Sequence, residues 1–190
     1  EYPTTPANNE IWYTNGSTTE STAPSTPDAF GGATIVSNTY NSVLGCWVIK
    51  FDSDVTDIQT TAFSRLSSIT SITLPSSILT IDGSTFNRCS SLVEINIPEG
   101  VTAIMPNSAF YMCTSLKWIC IPNSVTYIGY RAFYDCDVAT MYIGYSSEPW
   151  GWHSDWDYGC SATKKWLGSD KIILGDGDFI YTVSSGSATL

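Results

Sequence analysis

Apolar and polar positions between residues 55 and 145 follow a pattern that repeats every 23 or 24 residues. Each of four copies places an apolar residue at the same five points. The columns are Val55, Ile78, Val101 and Val125; Ile58, Ile81, Ile104 and Ile128; Phe63, Phe86, Phe110 and Phe133; Leu66, Cys89, Cys113 and Cys136; and Ile69, Leu92, Leu116 and Val138. Because a unit of this length cannot enclose its own hydrophobic face, like units are expected to stack around one core. The pattern therefore predicts a solenoid.

Each copy also contains a short run of period two, which is typical of a half-buried strand. The runs read SITL, EINI, WICI and TMYI, and Pro75, Pro98 and Pro122 follow three of them. The segments around each Phe are too short for long helices, and their apolar spacing predicts one helical turn per coil, with Gly83 and Gly129 easing the bend. The predicted fold class is α/β: a strand-rich solenoid with short helical turns and a parallel sheet on one face.

The repeats divide the chain into four segments. Residues 1–28 are an N-terminal segment with a mobile Ser/Thr/Pro-rich tether, and residues 29–54 are a β cap with a partial coil. Residues 55–145 are the four repeats, and residues 146–190 are a cap with an aromatic stretch and a β-hairpin. Caps are expected at both ends, because a terminal coil otherwise exposes its apolar edge. The stretch EIWY in the first segment is compatible with a docked strand or with a disordered arm.

Three phrases of the repeat array carry a family resemblance: IPNSVTYIGYRAFYDC, CSSLVEINIPEGVTAI and CTSLKWICIP. They resemble the BspA-like, treponemal-type leucine-rich repeats of bacterial surface proteins, over about residues 55 to 145. The resemblance implies a leucine-rich-repeat solenoid and a role in extracellular adhesion, or in recognition of host proteins, other cells or surface glycans. The spacing itself predicts only a scaffold, since repeat folds carry varied binding surfaces.

The strand register predicts which side chains point away from the core on the open side of the sheet. Counting back from Val55 adds Val48 and Lys50 from a partial coil. The two expected rows are Val48, Ser71, Glu94, Trp118 and Thr140, beside Lys50, Thr73, Asn96, Cys120 and Tyr142. Our hypothesis is that this side of the sheet recognises a partner. The proposed binding residues are Lys50, Thr73, Glu94, Asn96, Trp118 and Tyr142. The two aromatic residues among them either anchor a ligand or only shield the sheet.

Four aromatic residues crowd a nine-residue stretch of the C-terminal segment: Trp150, Trp152, Trp156 and Tyr158. Flat rings beside polar neighbours can stack on sugars or anchor a protein. The same rings can seal the last coil. The alternative function is therefore a carbohydrate-binding accessory protein that uses this stretch.

Six cysteines are present, and three of them share the column of Leu66 at the repeat spacing. Because leucine occupies this position in the first copy, Cys89, Cys113 and Cys136 are expected to be buried free thiols and not metal ligands. Disulfides involving Cys46, Cys120 and Cys160 stay open.

Charge and hydropathy narrow the choice of partner. The 190 residues include 8 Lys and Arg and 18 Asp and Glu, and the net charge of −10 disfavours nucleic acid as a partner. No apolar run reaches the roughly 18 to 20 residues of a membrane-spanning helix. The chain starts at Glu1 without a signal sequence, so we expect a secreted or surface protein whose export signal was removed or lies outside this chain. A lipid anchor in such a missing segment is an open alternative.

The signals for catalysis are weak. The single histidine, His153, alternates with Asp155 and Asp157, which matches metal ligands only in outline, and a solvated loop fits better. Asp155, Asp157, Asp176 and Asp178 are candidates for a hydrolase only in a formal sense, and no nucleophile motif accompanies them. The sequence therefore predicts a non-catalytic binding module without metal or cofactor.

Overall fold

A computed structural model of the chain describes residues 4–168, 171–173, 180–184 and 187–189, with side chains through residue 168. Its strands are β1 (Glu10–Thr14), β2 (Ile35–Asn41), β3 (Cys46–Phe51), β4 (Asp57–Ile58), β5 (Ser71–Thr73), β6 (Thr80–Ile81), β7 (Glu94–Ile95), β8 (Ala103–Ile104), β9 (Trp118–Ile121), β10 (Tyr127–Ile128), β11 (Thr140–Ile143), β12 (Thr163–Trp166), β13 (Lys171–Ile173), β14 (Ile180–Ser184) and β15 (Ser187–Thr189). Together most of them form a β-solenoid of about five turns.

Two parallel ladders join the coils. On one side β5 pairs with β7, and β11 pairs with both β9 and β12. On the other side the two-residue strands β4, β6, β8 and β10 pair in that order, along the isoleucine column. The inward residues of both ladders are buried in the core. The predicted parallel sheet is confirmed. The second ladder gives each coil an additional strand, at the isoleucine column that the sequence pattern identified only as buried.

A mixed sheet, antiparallel from β2 to β5, covers the first coil. Its order is β2-β3-β1-β5-β7, so β1 lies between β3 and the first strand of the repeats. Trp12 of β1 is paired with Val48 on one side and with Thr73 on the other. Ile11 and Tyr13 point into the core and are buried. The stretch EIWY is therefore a docked strand and not a disordered arm.

The Ser/Thr/Pro-rich segment that follows β1 is anchored to the solenoid. The indole nitrogen of Trp47 donates a hydrogen bond to the carbonyl of Ser17 at 2.8 Å. The amide of Ser25 donates to the carbonyl of Ala62 at 2.7 Å. The segment has no strand, as its composition indicates, but these contacts hold it in place where we expected a mobile tether. The segment boundaries at residues 28, 54 and 145 stay a prediction.

The predicted helical turns are wrong, because the described residues contain no helix and the segments around each Phe are successions of tight turns. In each of the four coils the residues two before and two after the Phe have a left-handed backbone, with φ between 48° and 67°. These residues are Thr61, Arg65, Ser84, Arg88, Ser108, Met112, Arg131 and Asp135. Such residues interrupt a right-handed helix. The backbone amides of these turns instead donate hydrogen bonds to carbonyls of the next coil. The amide of Phe86, for example, donates to the carbonyl of Ala109 at 2.8 Å.

Aromatic rings form a continuous stack along the core. The stack consists of Phe63, Phe86, Phe110 and Phe133, whose ring centroids are 5.5, 5.2 and 4.8 Å apart. Phe30 meets the ring of Phe63 edge-on at one end, and Trp156 meets that of Phe133 edge-on at the other. The core therefore has an aromatic cover at each end, which is what an open solenoid requires.

The fold continues one coil beyond the four that the sequence pattern identified. Trp152 forms a parallel bridge with Ile128, and β12 pairs with β11 in the register of the earlier strands. The thiol of Cys160 donates to the carbonyl of Cys136 at 2.8 Å, so Cys160 extends the cysteine column. The 24-residue step between these two cysteines was a signal for this coil. The sequence pattern did not reveal this coil, because Trp152 and Trp156 occupy the positions that hold isoleucine and phenylalanine in the earlier coils.

The third coil is one residue longer than its neighbours, and its extra residue is accommodated by two glycines. A Cβ atom on Gly83 would lie 2.2 Å from the carbonyl oxygen of Pro106, and one on Gly129 would lie 2.3 Å from the nitrogen of Pro106. Neither glycine has the positive φ that would show it easing a bend. Glycine is needed at both positions because Pro106 lies against the neighbouring coil on each side. The prediction that the two glycines ease a bend is therefore wrong.

The last three strands form a separate antiparallel sheet. β13 pairs with β14, and β14 pairs with β15. The two strands of the predicted C-terminal hairpin therefore pair as expected. Its GDG connection lies outside the described residues.

The cysteine column is buried and bonded to the main chain. The thiol of Cys89 donates to the carbonyl of Phe63 at 3.0 Å, and that of Cys113 donates to the carbonyl of Phe86 at 3.1 Å. Burial raises the pKa of Cys89 to about 12 and that of Cys160 to about 11. Neutral thiols therefore serve this column as small core residues.

We predict that Gly83→Ala and Gly129→Ala each destabilise the protein by about 1–3 kcal/mol, because the added methyl group overlaps Pro106. Deleting Pro106 restores a 23-residue coil and should reduce either penalty to below about 0.5 kcal/mol. Urea unfolding of the single and combined variants measures this coupling. Equal penalties with and without Pro106 would show that the glycines have another purpose.

We predict that Trp156→Ala lowers the free energy of unfolding by about 3–5 kcal/mol, because it removes the cover of the aromatic stack. The matched control is Trp150→Ala, whose side chain is fully exposed and whose removal should change stability by less than about 0.5 kcal/mol. Thermal and urea unfolding separate the two variants. Similar stabilities for both would contradict the assignment of Trp156 to the cap.

We predict that stability falls as pH rises above the ordinary thiol pKa of 9.0, because the unfolded chain then releases a proton that folded Cys89 retains until about pH 12. For this one thiol the loss between pH 8 and pH 10 is about 1.4 kcal/mol. Tyrosine and lysine ionisation also act in this range, so the measurement is the difference between the chain and its Cys89→Ala variant. The variant should lose less stability, and parallel pH curves would rule out this linkage.

Candidate functional site

The outer sheet face consists of the side chains that β1, β3, β5, β7, β9, β11 and β12 direct away from the core. Its two rows are Thr14, Ser71, Glu94, Trp118, Thr140 and Thr163, beside Val48, Trp12, Thr73, Asn96, Cys120, Tyr142 and Lys165. Lys50 is not in the row where we predicted it, because β1 intervenes. It is paired with Glu10 of β1, whose carboxylate lies 3.9 Å from its ammonium group, and it is two strands away from Thr73.

Two of the predicted binding residues are engaged within the chain. The side-chain oxygen of Asn96 accepts a hydrogen bond from the amide of Leu74 at 2.6 Å, and its nitrogen donates to the carbonyl of Leu74 at 3.0 Å. The side-chain amide of Asn96 thus takes the place of a backbone peptide group and extends the ladder by one residue. Tyr142 is only 8% exposed, and the ammonium group of Lys165 lies 5.1 Å from its ring centroid. Both residues have structural roles, whatever they contact in addition.

Glu94 and Trp118 are an accessible pair on neighbouring coils of the outer sheet face. The amide of Lys117 donates to the carbonyl of Val93 at 3.0 Å, which sets the two residues side by side on neighbouring coils. Glu94 is exposed and Trp118 is half-buried. Thr73, on the preceding coil, is half-buried as well.

The tryptophan-rich stretch separates into buried and exposed rings. Trp152 and Trp156 are 5% and 1% exposed, pack against each other edge-on at 5.0 Å and belong to the core. They have no free ring for a sugar, so the stacking role that the alternative function gives them is wrong. Trp150 is fully exposed and Tyr158 is 53% exposed. The cap role applies to the two buried rings.

The turn side of the solenoid carries a groove that the sequence analysis missed. This tyrosine groove has a volume of about 410 Å³ and is lined by Ser84, Asn87, Asn107, Ser108, Tyr111, Tyr130, Arg131 and Tyr134. Tyr111 and Tyr134 each follow a stacked Phe, and their rings lie parallel with centroids 5.1 Å apart. Tyr158 continues the row at 5.8 Å from Tyr134. The spacings of 23 and 24 residues between these tyrosines equal the repeat period, and this was the signal that could have found them.

Two arginines lie against the tyrosine rings. The guanidinium carbon of Arg131 is 4.9, 4.8 and 4.7 Å from the ring centroids of Tyr130, Tyr134 and Tyr158. Arg88 lies over Tyr111 at 5.6 Å. A cation over a ring contributes about 0.5–2 kcal/mol, depending on its desolvation. Within the described residues the ion pairs are Lys50 with Glu10 and Lys164 with Asp157, so neither arginine is in an ion pair.

The structure describes three of the catalytic and metal-ligand candidates, His153, Asp155 and Asp157. His153 accepts a hydrogen bond at Nδ1 from the amide of Asp155 at 3.0 Å, and Asp157 pairs with Lys164. Asp176 and Asp178 lie outside the described residues. Over the part of the chain that is described, no group of three or more His, Cys, Asp or Glu side chains is placed to hold a metal ion. The same part contains no helix able to span a bilayer.

Comparison with known proteins identifies the repeats. A family profile for the BspA type leucine-rich repeat region matches residues 33–151 in six copies. The chain is also similar to the crystal structure of a T. pallidum leucine-rich repeat protein, with 26% identity and a TM-score of 0.46. That match covers 60% of this chain and 47% of the other, so it spans about half of that protein's length. A search of curated proteins finds no significant match. Because the profile covers more than half of its residues, the chain belongs to the BspA-type leucine-rich repeat family.

Proposed function

We propose that this chain is a non-catalytic recognition module, secreted or displayed on a bacterial surface, that binds an extracellular protein through its outer sheet face. Membership in the BspA-type family supports this proposal, because such repeats are typically non-catalytic interaction scaffolds and the family is generally found at the surface or secreted. Adhesion is the biological role that follows if the partner is fixed to a host or neighbouring cell.

The observation that carries the proposal is the accessible pair of Glu94 and Trp118. A half-buried indole offers apolar area at a low cost in conformational entropy, and such residues are frequent energetic anchors of protein interfaces. The backbone hydrogen bond from Lys117 to Val93 fixes both side chains on neighbouring coils. A partner therefore meets a preorganised pair of groups and not a mobile loop.

Charge indicates the kind of protein surface that fits. Glu94 lies on the coil next to that of Trp118, and the chain as a whole has a net charge of −10. Hydroxyl groups of Ser71 and Thr140 lie in the same row and supply hydrogen bonds without charge. The complementary surface is a basic patch with an apolar pocket, and electrostatic attraction would raise its association rate.

We predict that Trp118→Ala combined with Glu94→Ala weakens binding of a protein partner by about 30-fold, because losing an interface anchor costs about 2 kcal/mol. The partner is first selected from a panel of purified extracellular-matrix and cell-surface proteins by binding to the immobilised chain. Its affinity for each variant is then measured in solution.

The matched control is Trp150→Ala combined with Glu148→Ala, which also removes one tryptophan and one glutamate from the surface, away from the sheet. This variant should bind like the unmodified chain. Melting temperatures of both double variants must agree with that of the unmodified chain. If the Trp118 and Glu94 variant keeps its full affinity for every selected partner, the outer sheet face is not the binding surface.

A further inference from the structure

The tyrosine groove lies on the turn side of the solenoid and shares no residue with the outer sheet face. Its floor is a pair of parallel rings, Tyr111 and Tyr134, held 5.1 Å apart by the coil stacking beneath them. In the first two coils the corresponding position holds Ser64 and Asn87. The aromatic floor is therefore a local feature of the last coils and is not required by the repeat, whose cores are closed by the Phe stack.

Arg131 gives the groove a positive charge with unused hydrogen-bonding capacity. Its guanidinium group is enclosed by three tyrosine rings, and its Nε atom is buried without a hydrogen-bond partner. No acidic side chain within the described residues forms an ion pair with it, although the chain has 18 acidic residues. A planar guanidinium held in this way is suited to a carboxylate, which it binds through parallel hydrogen bonds from its terminal nitrogens.

Neutral polar groups complete the lining. The side-chain amides of Asn87 and Asn107 make no hydrogen bond to any residue that the structure describes, and both lie at the groove. The hydroxyl of Ser84 donates to the carbonyl of Asn107 at 3.0 Å and keeps its lone pairs for a further donor. Amides that offer both donors and acceptors suit hydroxyl groups of a ligand. The faces of Tyr111 and Tyr134 are covered by one another, by Arg88 and by Arg131, so these two rings bound the groove with their edges.

We propose that the tyrosine groove binds a carboxylate-bearing sugar, a uronic or sialic acid unit of an extracellular glycan. Arg131 pairs with the carboxylate, Asn87 and Asn107 bind the hydroxyl groups of the sugar, and the ring edges of Tyr111 and Tyr134 bound the site. A groove of about 410 Å³ is of the size that accommodates small ligands. A neutral sugar leaves the charge of Arg131 unpaired, whereas an acidic peptide does not need the hydroxyl-binding amides. The inference does not depend on the outer sheet face.

The test measures binding of two acidic oligosaccharides to the full chain by titration calorimetry. The probes are sialyllactose and a hyaluronan tetrasaccharide, and their neutral counterparts are lactose and the carboxyl-reduced tetrasaccharide. We expect saturable binding of at least one acidic probe and at least about tenfold weaker binding of its neutral counterpart, since a charge-assisted hydrogen bond is lost. Which probe binds distinguishes a sialic acid from a uronic acid.

Variants then assign the binding to the groove. Arg131→Gln removes the positive charge of the groove. Asn87→Ala removes an amide at the rim and leaves the ring cluster unchanged, so it still tests the proposal if Arg131→Gln fails to fold. Each should weaken binding of the acidic probe by at least about tenfold. The matched controls are Arg65→Gln, at the position equivalent to Arg88, and Tyr127→Ala, an exposed tyrosine outside the groove. Both controls should bind like the unmodified chain.

The proposal is overturned if neither acidic probe binds saturably, or if the neutral counterparts bind equally well. It is also overturned if folded Arg131→Gln and Asn87→Ala retain full affinity, since the sugar then binds elsewhere. Binding of an acidic peptide, such as a short glutamate oligomer, in preference to both sugars would assign the groove to a different ligand class.

Discussion

Side chains at the surface of this protein take their positions from backbone hydrogen bonds between successive coils. These bonds are made at both strand ladders and again at the turns, where Phe86 and Arg88 donate to the carbonyls of Ala109 and Tyr111. The turns can form them only because residues such as Arg88 accept a left-handed backbone. Stacking of coils at the strand spacing then brings equivalent side chains of neighbouring coils close to one another. Rows of rings, thiols and hydroxyls are the direct result.

Much of this architecture could be predicted from the sequence, because the apolar columns record which residues face one another inside the stack. The burial of Phe63, Phe86, Phe110 and Phe133 follows from the 23-residue period, and the parallel sheet follows from that period together with the alternation inside each copy. Periodicity does not report backbone conformation, so the turns resembled short helices. Nor does it report chain order in a mixed sheet, and the insertion of β1 therefore displaced Lys50 from its predicted row.

The candidate surfaces were predicted unevenly for a similar reason. Alternation within the strands identified Glu94 and Trp118, since every second side chain must leave the sheet. Tyr111, Tyr134 and Tyr158 lie in turns, where no simple alternation applies, and only their period marks them. Trp152 and Trp156 show the opposite case, because a dense group of aromatic residues in sequence proved to be a core. The two proposed sites differ in charge, because the pair on the outer sheet face includes the carboxylate of Glu94 and the tyrosine groove includes the guanidinium group of Arg131.

The extra residue at Pro106 has a consequence for how such an array can evolve. Repeat arrays gain and lose units when recombination joins two similar units. The product folds only if the two units brought together can pack against each other. Here the lengthened coil needs a glycine at a specific point in the coil on each side, and Gly83 and Gly129 supply them. These three units therefore depend on one another and form a structural block. Shuffling that separates them places Pro106 against a side chain, so new copies are tolerated outside the block more readily than within it.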